Sequence, residues 1–279
     1  MNPANAHLPD RVPRFNVLGT GVSALDLARA CGLVVAARGR KRLGYVCLAT
    51  VHGLNEARRD PALRGIFNRS YLTTPDGMPL VWLGHRHGHA GVTRVYGPDL
   101  LHAVCAAGRE GGLTHYFLGG HPGVAEKLRD ELRARHPGVA IVGTFTPPFR
   151  PLAPDESAAL RAEVVALAPD IVWVGLGTPK QERFMAEYAP LLDTGLLIGI
   201  GAAFDFVSGR VRQAPRWLQR AGLEWLFRLV TEPRRLGRRY LVGNPLFVLR
   251  IFLQLAGLKK YPIETFPAET PGKLSGGAG

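Results

Sequence analysis

The chain has 279 residues, and 46% of them are hydrophobic, which is enough to bury one large core or two smaller ones. This composition excludes fibrous and disordered proteins. The formal net charge is +13, so we expect an anionic partner such as nucleic acid, an acidic membrane surface or a phosphorylated substrate.

The cysteines and the N-terminal residues indicate the cellular compartment of the protein. Cys31, Cys47 and Cys105 lie in apolar or small-residue surroundings without a Cys-x-x-Cys pair, which predicts reduced thiols in the cytosol. Residues 1–13 lack the apolar segment of a signal peptide and predict a disordered tail. No uninterrupted apolar run approaches the ~20 residues of a membrane span. We therefore expect a cytoplasmic protein.

Residues 15–18 predict the first strand, and Gly19-Thr20-Gly21 follows it. The glycines half-match a dinucleotide-binding pattern, but the third glycine is missing, as is an acidic residue about 20 positions later. We interpret residues 19–21 as a plain turn from a strand into a helix. Further strands are predicted at residues 44–50 and 71–74, with helical segments between them.

Asp76 follows the predicted strand at residues 71–74. Open parallel sheets bind ligands at the carboxyl ends of their strands, so Asp76 is a candidate site residue. Aspartate before glycine also suits a turn or a helix N-cap, and the sequence leaves both roles open. The nearby His85, His87 and His89 lack the ligand spacing of a structural zinc site, so we interpret them as an exposed basic loop and expect no metal site.

Residues 170–183 give the clearest single pattern. A continuous apolar run predicts a strand buried on both faces, and Gly175 and Gly177 predict a tight turn. Pro179 suits the first turn of a helix, whose free backbone N–H groups favour an anion. The same pattern also fits a purely structural strand, turn and helix.

Additional strands are predicted at residues 114–118, 139–143 and 196–206, and the last is interpreted as one buried strand that ends at a carboxylate, Asp205. Strands therefore alternate with helical segments across residues 14–208. This alternation predicts an α/β fold with a doubly wound, Rossmann-like parallel sheet.

Residues 209–260 differ in character from the core. They contain twelve basic and two acidic residues, a net charge of +10, interleaved with aromatic side chains. This pattern suits the lipid headgroup boundary or nucleic acid, and it also suits a helical cap with a solvated basic face. Residues 241–258 are apolar but include Asn244, Pro245 and Arg250, which favours lying on a membrane over spanning it. Residues 261–279 predict a disordered tail.

Five motifs occur in a fixed order, and they resemble the WecG/TagA/CpsF glycosyltransferases, family 26 of that enzyme class, over roughly residues 15–255. The motifs are TPDGMPLVW at 74–82, RVYGPDL at 94–100, VGLGTPKQE at 174–182, GIGAAFDF at 199–206, and RQAPRW at 212–217 followed by GLEWLFR at 222–228. The resemblance implies a Rossmann-like core of the GT-E type, with residues 209–260 as a basic C-terminal appendage at the membrane.

The resemblance also implies an activity. It is the transfer of a sugar, of the N-acetylmannosamine type or another hexose, from a UDP-sugar to a polyprenyl-diphosphate-linked sugar in cell-surface polysaccharide or teichoic-acid-like biosynthesis. It implies a peripheral location on the inner face of the bacterial cell membrane, with an anionic membrane surface as a partner. No cofactor and no nucleic acid partner are expected.

The family motifs carry over to individual residues of this chain. Asp76 is implied as the catalytic base. The substrate-binding residues implied are Thr50, His52 and Arg94 for the sugars and Gln181 and Asp205 for the nucleotide, and the diphosphate-binding residues are Arg228, Arg235 and Arg238. Family members often carry Asn at the position of His52, which bears on sugar identity.

The chemistry of the reaction agrees with these roles. A sugar hydroxyl is a poor nucleophile, so a carboxylate must take its proton as the bond forms. Many glycosyltransferases offset the charge of the leaving nucleotide with a metal held by an Asp-x-Asp motif, and this sequence contains no such motif. Arginine side chains bind phosphate through paired hydrogen bonds and could supply the positive charge instead. We therefore expect metal-independent, inverting transfer.

Two other functions compete with this one. An NAD(P)-dependent oxidoreductase is supported only by residues 19–21. A non-catalytic basic protein that binds membrane or nucleic acid would explain the charge of residues 209–260, but it would leave the polar residues at the strand ends without a purpose.

Overall fold

A computed structural model describes residues 12–264. Of the tails predicted at residues 1–13 and 261–279, residues 1–11 and 265–279 lie outside the described residues. The strands are β1 (Arg14–Val17), β2 (Thr20–Ser23), β3 (Gly44–Ala49), β4 (Leu72–Pro75), β5 (Thr114–Gly119), β6 (Ala140–Phe145), β7 (Ile171–Gly175) and β8 (Leu196–Gly199). The helices are α1 (Leu27–Val35), α2 (Val51–Arg59), α3 (Pro61–Arg69), α4 (Met78–Arg86), α5 (Gly97–Gly108), α6 (Val124–Arg135), α7 (Pro154–Leu167), α8 (Lys180–Tyr188), α9 (Ala203–Val207), α10 (Arg216–Arg220), α11 (Glu224–Thr231), α12 (Pro233–Leu241) and α13 (Gly243–Leu255).

Strands β3 to β8 form one parallel sheet in the order β4-β3-β8-β7-β5-β6. Its central strands are apolar on both faces because helices cover both, and Trp173 in β7 has no solvent exposure. Two clusters of buried side chains form the core, and each draws on several strands of the sheet. The predicted Rossmann-like α/β fold is confirmed.

The interpretation of residues 19–21 as a strand-to-helix turn is wrong. Strands β1 and β2 form an antiparallel hairpin, and Val17 pairs with Thr20 across a two-residue loop. Leu18 and Gly19 both have positive φ, at 53° and 86°, which matches the twist of a tight hairpin. Gly19 therefore lies in the turn of a hairpin and Gly21 lies in its second strand, so the oxidoreductase hypothesis loses its only support.

The predicted strand at residues 196–206 is also shorter than expected. Strand β8 ends at Gly199, and Asp205 lies in the short helix α9. Phe204 of α9 is buried and packs closely against Gly175 at the end of β7. A Cβ atom at that position would lie only 2.5 Å from the Phe204 ring. Strand and helix are both buried here, so a continuous apolar run could not separate them.

The appendage consists of helices α10 to α13, and α13 packs into the core. Phe247 of α13 is 3% exposed and belongs to the same core cluster as the buried residues of α2 and α3. Arg250 donates to the side-chain oxygen of Asn55 in α2, at 2.8 Å. Among the described residues, no helix combines the length and the apolar character needed to cross a bilayer.

The end of the appendage holds the N-terminal hairpin. Gln254 of α13 accepts a hydrogen bond from the backbone N–H of Leu18 and donates one to the backbone carbonyl of Asn16. The Asn16 side chain donates to the carbonyl of Tyr261 at 2.6 Å, and Glu264 pairs with Arg64 of α3. The first described residues of the expected C-terminal tail therefore contact the core.

Replacing Phe247 by alanine tests whether α13 is part of the core. We expect Phe247→Ala to lower the free energy of unfolding by about 3–5 kcal/mol, because it leaves a cavity among buried side chains. Phe252→Ala is the matched control on the same helix, since Phe252 is 62% exposed, and it should change stability by less than about 0.5 kcal/mol. Urea unfolding followed by circular dichroism measures both; equal losses would contradict the packing described.

Candidate active site

A cavity of about 710 Å³ opens at the carboxyl ends of the parallel strands. Each of the six strands is followed by at least one residue that lines it, and the appendage covers it with charged side chains. The residues that follow the strands are Thr50, Asp76, Gly120, Pro147, Leu176 and Ile200, and the charged residues from the appendage are Glu224, Arg228, Arg235 and Arg239. This is the position where open parallel sheets bind their ligands.

Asp76 lies directly after β4, and its backbone N–H donates to the carbonyl of Ala49 in β3. Its side chain is 19% exposed, but the Oδ1 atom is buried and has no hydrogen-bond partner within residues 12–264. Burial raises the pKa of Asp76 to about 6, and the charge of Glu224 acts in the same direction, against the lowering effect of Arg94. The side chain is thus a carboxyl group that can change its charge near neutral pH.

Arg94 lies beside Asp76 in the segment before α5. Its Nε donates to the backbone carbonyl of Asp76, and its Nη2 lies 3.7 Å from Oδ1 of Asp76 and 2.6 Å from Oε2 of Glu224. The guanidinium group also stacks over the ring of Tyr96, 4.1 Å from its centroid. Arg94 does not line the cavity itself. Its hydrogen bonds connect Asp76 to Glu224 of the appendage.

Thr50 follows β3 and caps α2, because its hydroxyl accepts a hydrogen bond from the N–H of Gly53 at 3.1 Å. It also lines the cavity. His52, two residues later, is not among the described residues that line the cavity. Desolvation, reinforced by the charges of Arg239 and Arg59, lowers the pKa of His52 to about 4, so its ring is neutral at pH 7.

Gln181 and Glu182 occupy the first turn of α8, after the glycine turn that follows β7. Gln181 is 3% exposed and lines the cavity, and its Nε2 donates to Oε1 of Glu182 at 3.1 Å. Glu182 is fully buried and also accepts from the Thr178 hydroxyl, and desolvation raises its pKa. The buried Oε1 atom of Gln181 has no hydrogen-bond partner within the described chain.

Asp205 lines the cavity from α9, and its carboxylate accepts from Arg210 at 2.9 Å. The adjoining Phe206 packs under the guanidinium group of Arg228, which lies 5.4 Å from the ring centroid. Asp205, which was predicted to lie at a strand end, therefore lies on helix α9 and lines the same cavity.

The appendage arginines divide into two groups. Arg228 and Arg239 are largely buried, and the Nε atom of each has no hydrogen-bond partner within the described residues. Arg235 lines the cavity, is 61% exposed and donates to Glu232 at 2.6 Å. Arg238 is exposed and does not line the described cavity.

A model of the glycosyl transferase WecG/TagA/CpsF family matches residues 15–261. The match includes the whole parallel sheet and all of the appendage helices. The chain belongs to this family. The protein is therefore a glycosyltransferase, and the cavity at the strand ends is its candidate active site.

The family's motif residues converge on this cavity from separate parts of the chain. Thr50, Asp76, Gln181, Asp205, Arg228 and Arg235 all line it. Sequence reasoning did not select Glu224, Arg239 or Tyr96, which line it as well. Glu224 lay inside a quoted motif and Arg239 within a run of arginines, but only the fold of the appendage distinguishes them from their exposed neighbours.

The histidines that were predicted to lie in an exposed basic loop make structural contacts, and His85 lies in the last turn of α4. His85 contacts the carbonyl of Val92 at 2.8 Å, and the rings of His87 and His89 lie 5.9 Å from the ring of Phe15 in the hairpin. In the described part of the chain, no three His, Cys, Asp or Glu side chains are grouped so that they could hold a metal ion.

Replacing Asp76 by asparagine tests the burial of its charge. Because the pKa in the folded protein lies above the ordinary value of 3.8, ionisation of Asp76 destabilises the fold as the pH rises from about 4 to above 6. Asp76→Asn cannot ionise, so between pH 4 and pH 8 it should gain on the order of 3 kcal/mol of stability relative to the wild type. Urea unfolding of both proteins across this range measures the difference.

Asp130→Asn is the control, because the hydrogen bond from Arg129 lowers the pKa of this exposed carboxyl group. Its stability relative to the wild type should not rise over the same pH range. A parallel pH dependence of Asp76→Asn and the wild type would show that the Asp76 carboxylate is solvated.

Proposed function

We propose that the protein transfers a sugar, of the N-acetylmannosamine type or another hexose, from a UDP-sugar to a polyprenyl-diphosphate-linked sugar, with inversion at the anomeric carbon and without a metal ion. One observation carries the proposal. The residues that line the cavity include Arg228 and Arg239, whose Nε–H groups have no hydrogen-bond partner in the described chain, and Asp76, whose buried Oδ1 has none either. Buried polar groups without partners are costly, so a ligand that has both phosphates and a hydroxyl group would satisfy them.

Asp76 is the base in this proposal. It accepts the proton of the acceptor hydroxyl while the oxygen bonds to the anomeric carbon of the donor sugar, and the bond from that carbon to the phosphate oxygen breaks. Attack from the face opposite the departing nucleotide inverts the configuration. A pKa of about 6 suits the role, because the carboxylate is ionised at pH 7 to 8 and still accepts a proton readily.

The arginines take the role that a metal ion has in many glycosyltransferases. The departing UDP gains negative charge on its outer phosphate, and fixed guanidinium groups stabilise that charge in a cavity shielded from water. Arg228 and Arg239 are held in place by packing on aromatic rings, those of Phe206 and Tyr240. Gln181 and Asp205 also line the cavity and are assigned to the nucleotide.

The appendage would also hold the protein at the inner face of the cell membrane. The outer face of α13 exposes Val248, Leu249 and Phe252, and Lys259 and Lys260 follow the helix. Apolar side chains beside lysines suit an anionic lipid surface, where each basic residue contributes about 1 kcal/mol. The lipid part of the acceptor would then stay in the bilayer while its sugar enters the cavity.

Asp76→Asn should lower kcat about 100- to 10,000-fold, because it removes the group that accepts the proton. The measurement is UDP release from several UDP-sugars in the presence of a lipid-linked acceptor. In the wild type, kcat/KM should rise with pH around a midpoint near 6, the pKa of Asp76 in the free enzyme. The same assay with EDTA should give the wild-type rate. Near-normal turnover by Asp76→Asn would remove Asp76 from its role, and activity that needs manganese would remove metal independence.

Arg228→Ala should lower kcat about 100- to 1,000-fold, because it removes a charge that stabilises the departing nucleotide. Arg234→Ala is the matched control, since Arg234 is exposed on α12 and does not line the described cavity. A water-soluble, short-chain acceptor keeps membrane binding out of the comparison. Similar rate losses in both variants would indicate that net charge, not the position of Arg228, supports the reaction.

A further inference from the structure

Glu224 is one of two acidic residues in the appendage, and it lines the cavity. It is the first residue of α11, and its side chain is 13% exposed. Its Oε2 accepts a hydrogen bond from Nη2 of Arg94 at 2.6 Å. This hydrogen bond joins the appendage to the core next to Asp76.

Two carboxylates face the same guanidinium nitrogen. Nη2 of Arg94 lies 2.6 Å from Glu224 but 3.7 Å from Oδ1 of Asp76, which is beyond hydrogen-bond distance. The Nε of Arg94 donates to the backbone carbonyl of Asp76, not to its carboxylate. Arg94 thus donates to Glu224 and to the Asp76 backbone, while Oδ1 of Asp76 has no hydrogen-bond partner in the described chain.

We propose that Glu224 is a positioning residue that binds Arg94 and offsets its charge, so that the guanidinium group stays at ion-pair distance from the Asp76 carboxylate and does not hydrogen-bond it. The proposal rests on the proposed role of Asp76 as the base. It gives the appendage a second role besides phosphate binding, since a core without Glu224 would let Arg94 move closer and hydrogen-bond the Asp76 carboxylate.

Charged and titratable groups from three parts of the chain surround Asp76. The segment before α5 supplies Arg94 and Tyr96, α11 supplies Glu224 and Arg228, and α12 supplies Arg239. The three arginines favour the ionised form of Asp76 and lower its pKa, whereas Glu224 raises it. Loss of the Glu224 charge would leave three cations facing one carboxylate, and a carboxylate paired with arginine is a weaker base.

Glu224→Gln tests the proposal, because glutamine keeps the size and can still accept from Arg94 but carries no charge. We expect the acid limb of the kcat/KM profile to move down by about one pH unit. We expect kcat on the plateau to fall about three- to tenfold, because the weaker base accepts the proton less readily. The KM for the UDP-sugar should stay within about twofold, since the residue acts through Arg94 and not on the donor.

A direct titration of Asp76 gives a readout that does not depend on activity. Carboxyl ¹³C NMR of the full-length protein labelled at aspartate reports the pKa, and Asp76→Asn identifies the signal. The midpoint near 6 in the wild type should fall in Glu224→Gln. Glu224→Asp keeps the charge but shortens the side chain, so its midpoint should lie between the two. Asp130→Asn removes one charge from the surface of α6 and should leave the Asp76 midpoint unchanged.

The outcomes separate this proposal from the proposed function. Lower midpoints in both the NMR titration and the pH profile of Glu224→Gln support the role of Glu224. Unchanged midpoints in a folded Glu224→Gln, with Asp76→Asn inactive, overturn the role of Glu224 and leave Asp76 as the base. A fully active Asp76→Asn overturns the proposed function, and the positioning role falls with it. Circular dichroism establishes folding, and Glu224→Asp replaces Glu224→Gln in both assays if the latter unfolds.

Discussion

The ion pair between Arg94 and Glu224 joins the two parts of this glycosyltransferase at its candidate active site. One partner lies in the core beside the parallel sheet, and the other begins a helix of the appendage. Both side chains are mostly shielded from water, at 18% and 13% exposure, so the pair is stronger than one on an open surface and costly to break from one side. The electrostatic environment of Asp76 therefore depends on where the appendage sits.

The core and the appendage make different contributions to the candidate site. The sheet fixes the backbone at Asp76, because its N–H is bonded to the neighbouring strand. The appendage then supplies the surrounding charges, namely the carboxylate that engages Arg94 and the guanidinium groups of Arg228 and Arg239. Neither part alone holds the complete candidate site: the core carries Asp76, the proposed base, and Gln181, and the appendage carries Arg228, Arg235 and Arg239.

Much of the fold could be read from the sequence because its signals are local. Continuous apolar runs such as residues 171–175 identify buried parallel strands, and Asp76 was placed correctly at the end of one. The hairpin at Leu18 and Gly19 was missed because its turn lacks the usual Asn-Gly or Asp-Gly signal. The helix at Asp205 was missed because a buried helix and a buried strand share the same apolar composition.

The site was harder to predict, because its members are chosen by tertiary packing. The sequence could not show that Arg239 turns inward while Arg238, its neighbour in α12, turns outward. Only the packing of α12 beside the cavity distinguishes them. Glu224 is the clearest case, since an acidic residue in a basic segment reads as an ordinary helix-start carboxylate until its partner in the core is known.

The hydrogen bonds of Gln254 affect the order in which the protein is assembled. They join α13 to the turn of the N-terminal hairpin across 236 positions of the chain. A two-stranded hairpin is marginal in water, and Asn68 of α3 secures one side of it early by bonding to Gly19 and Gly21. The other side must wait for α13 to be translated, which takes roughly 10–50 s at ribosomal speed. The hairpin is thus synthesised long before the helix that completes its hydrogen bonds.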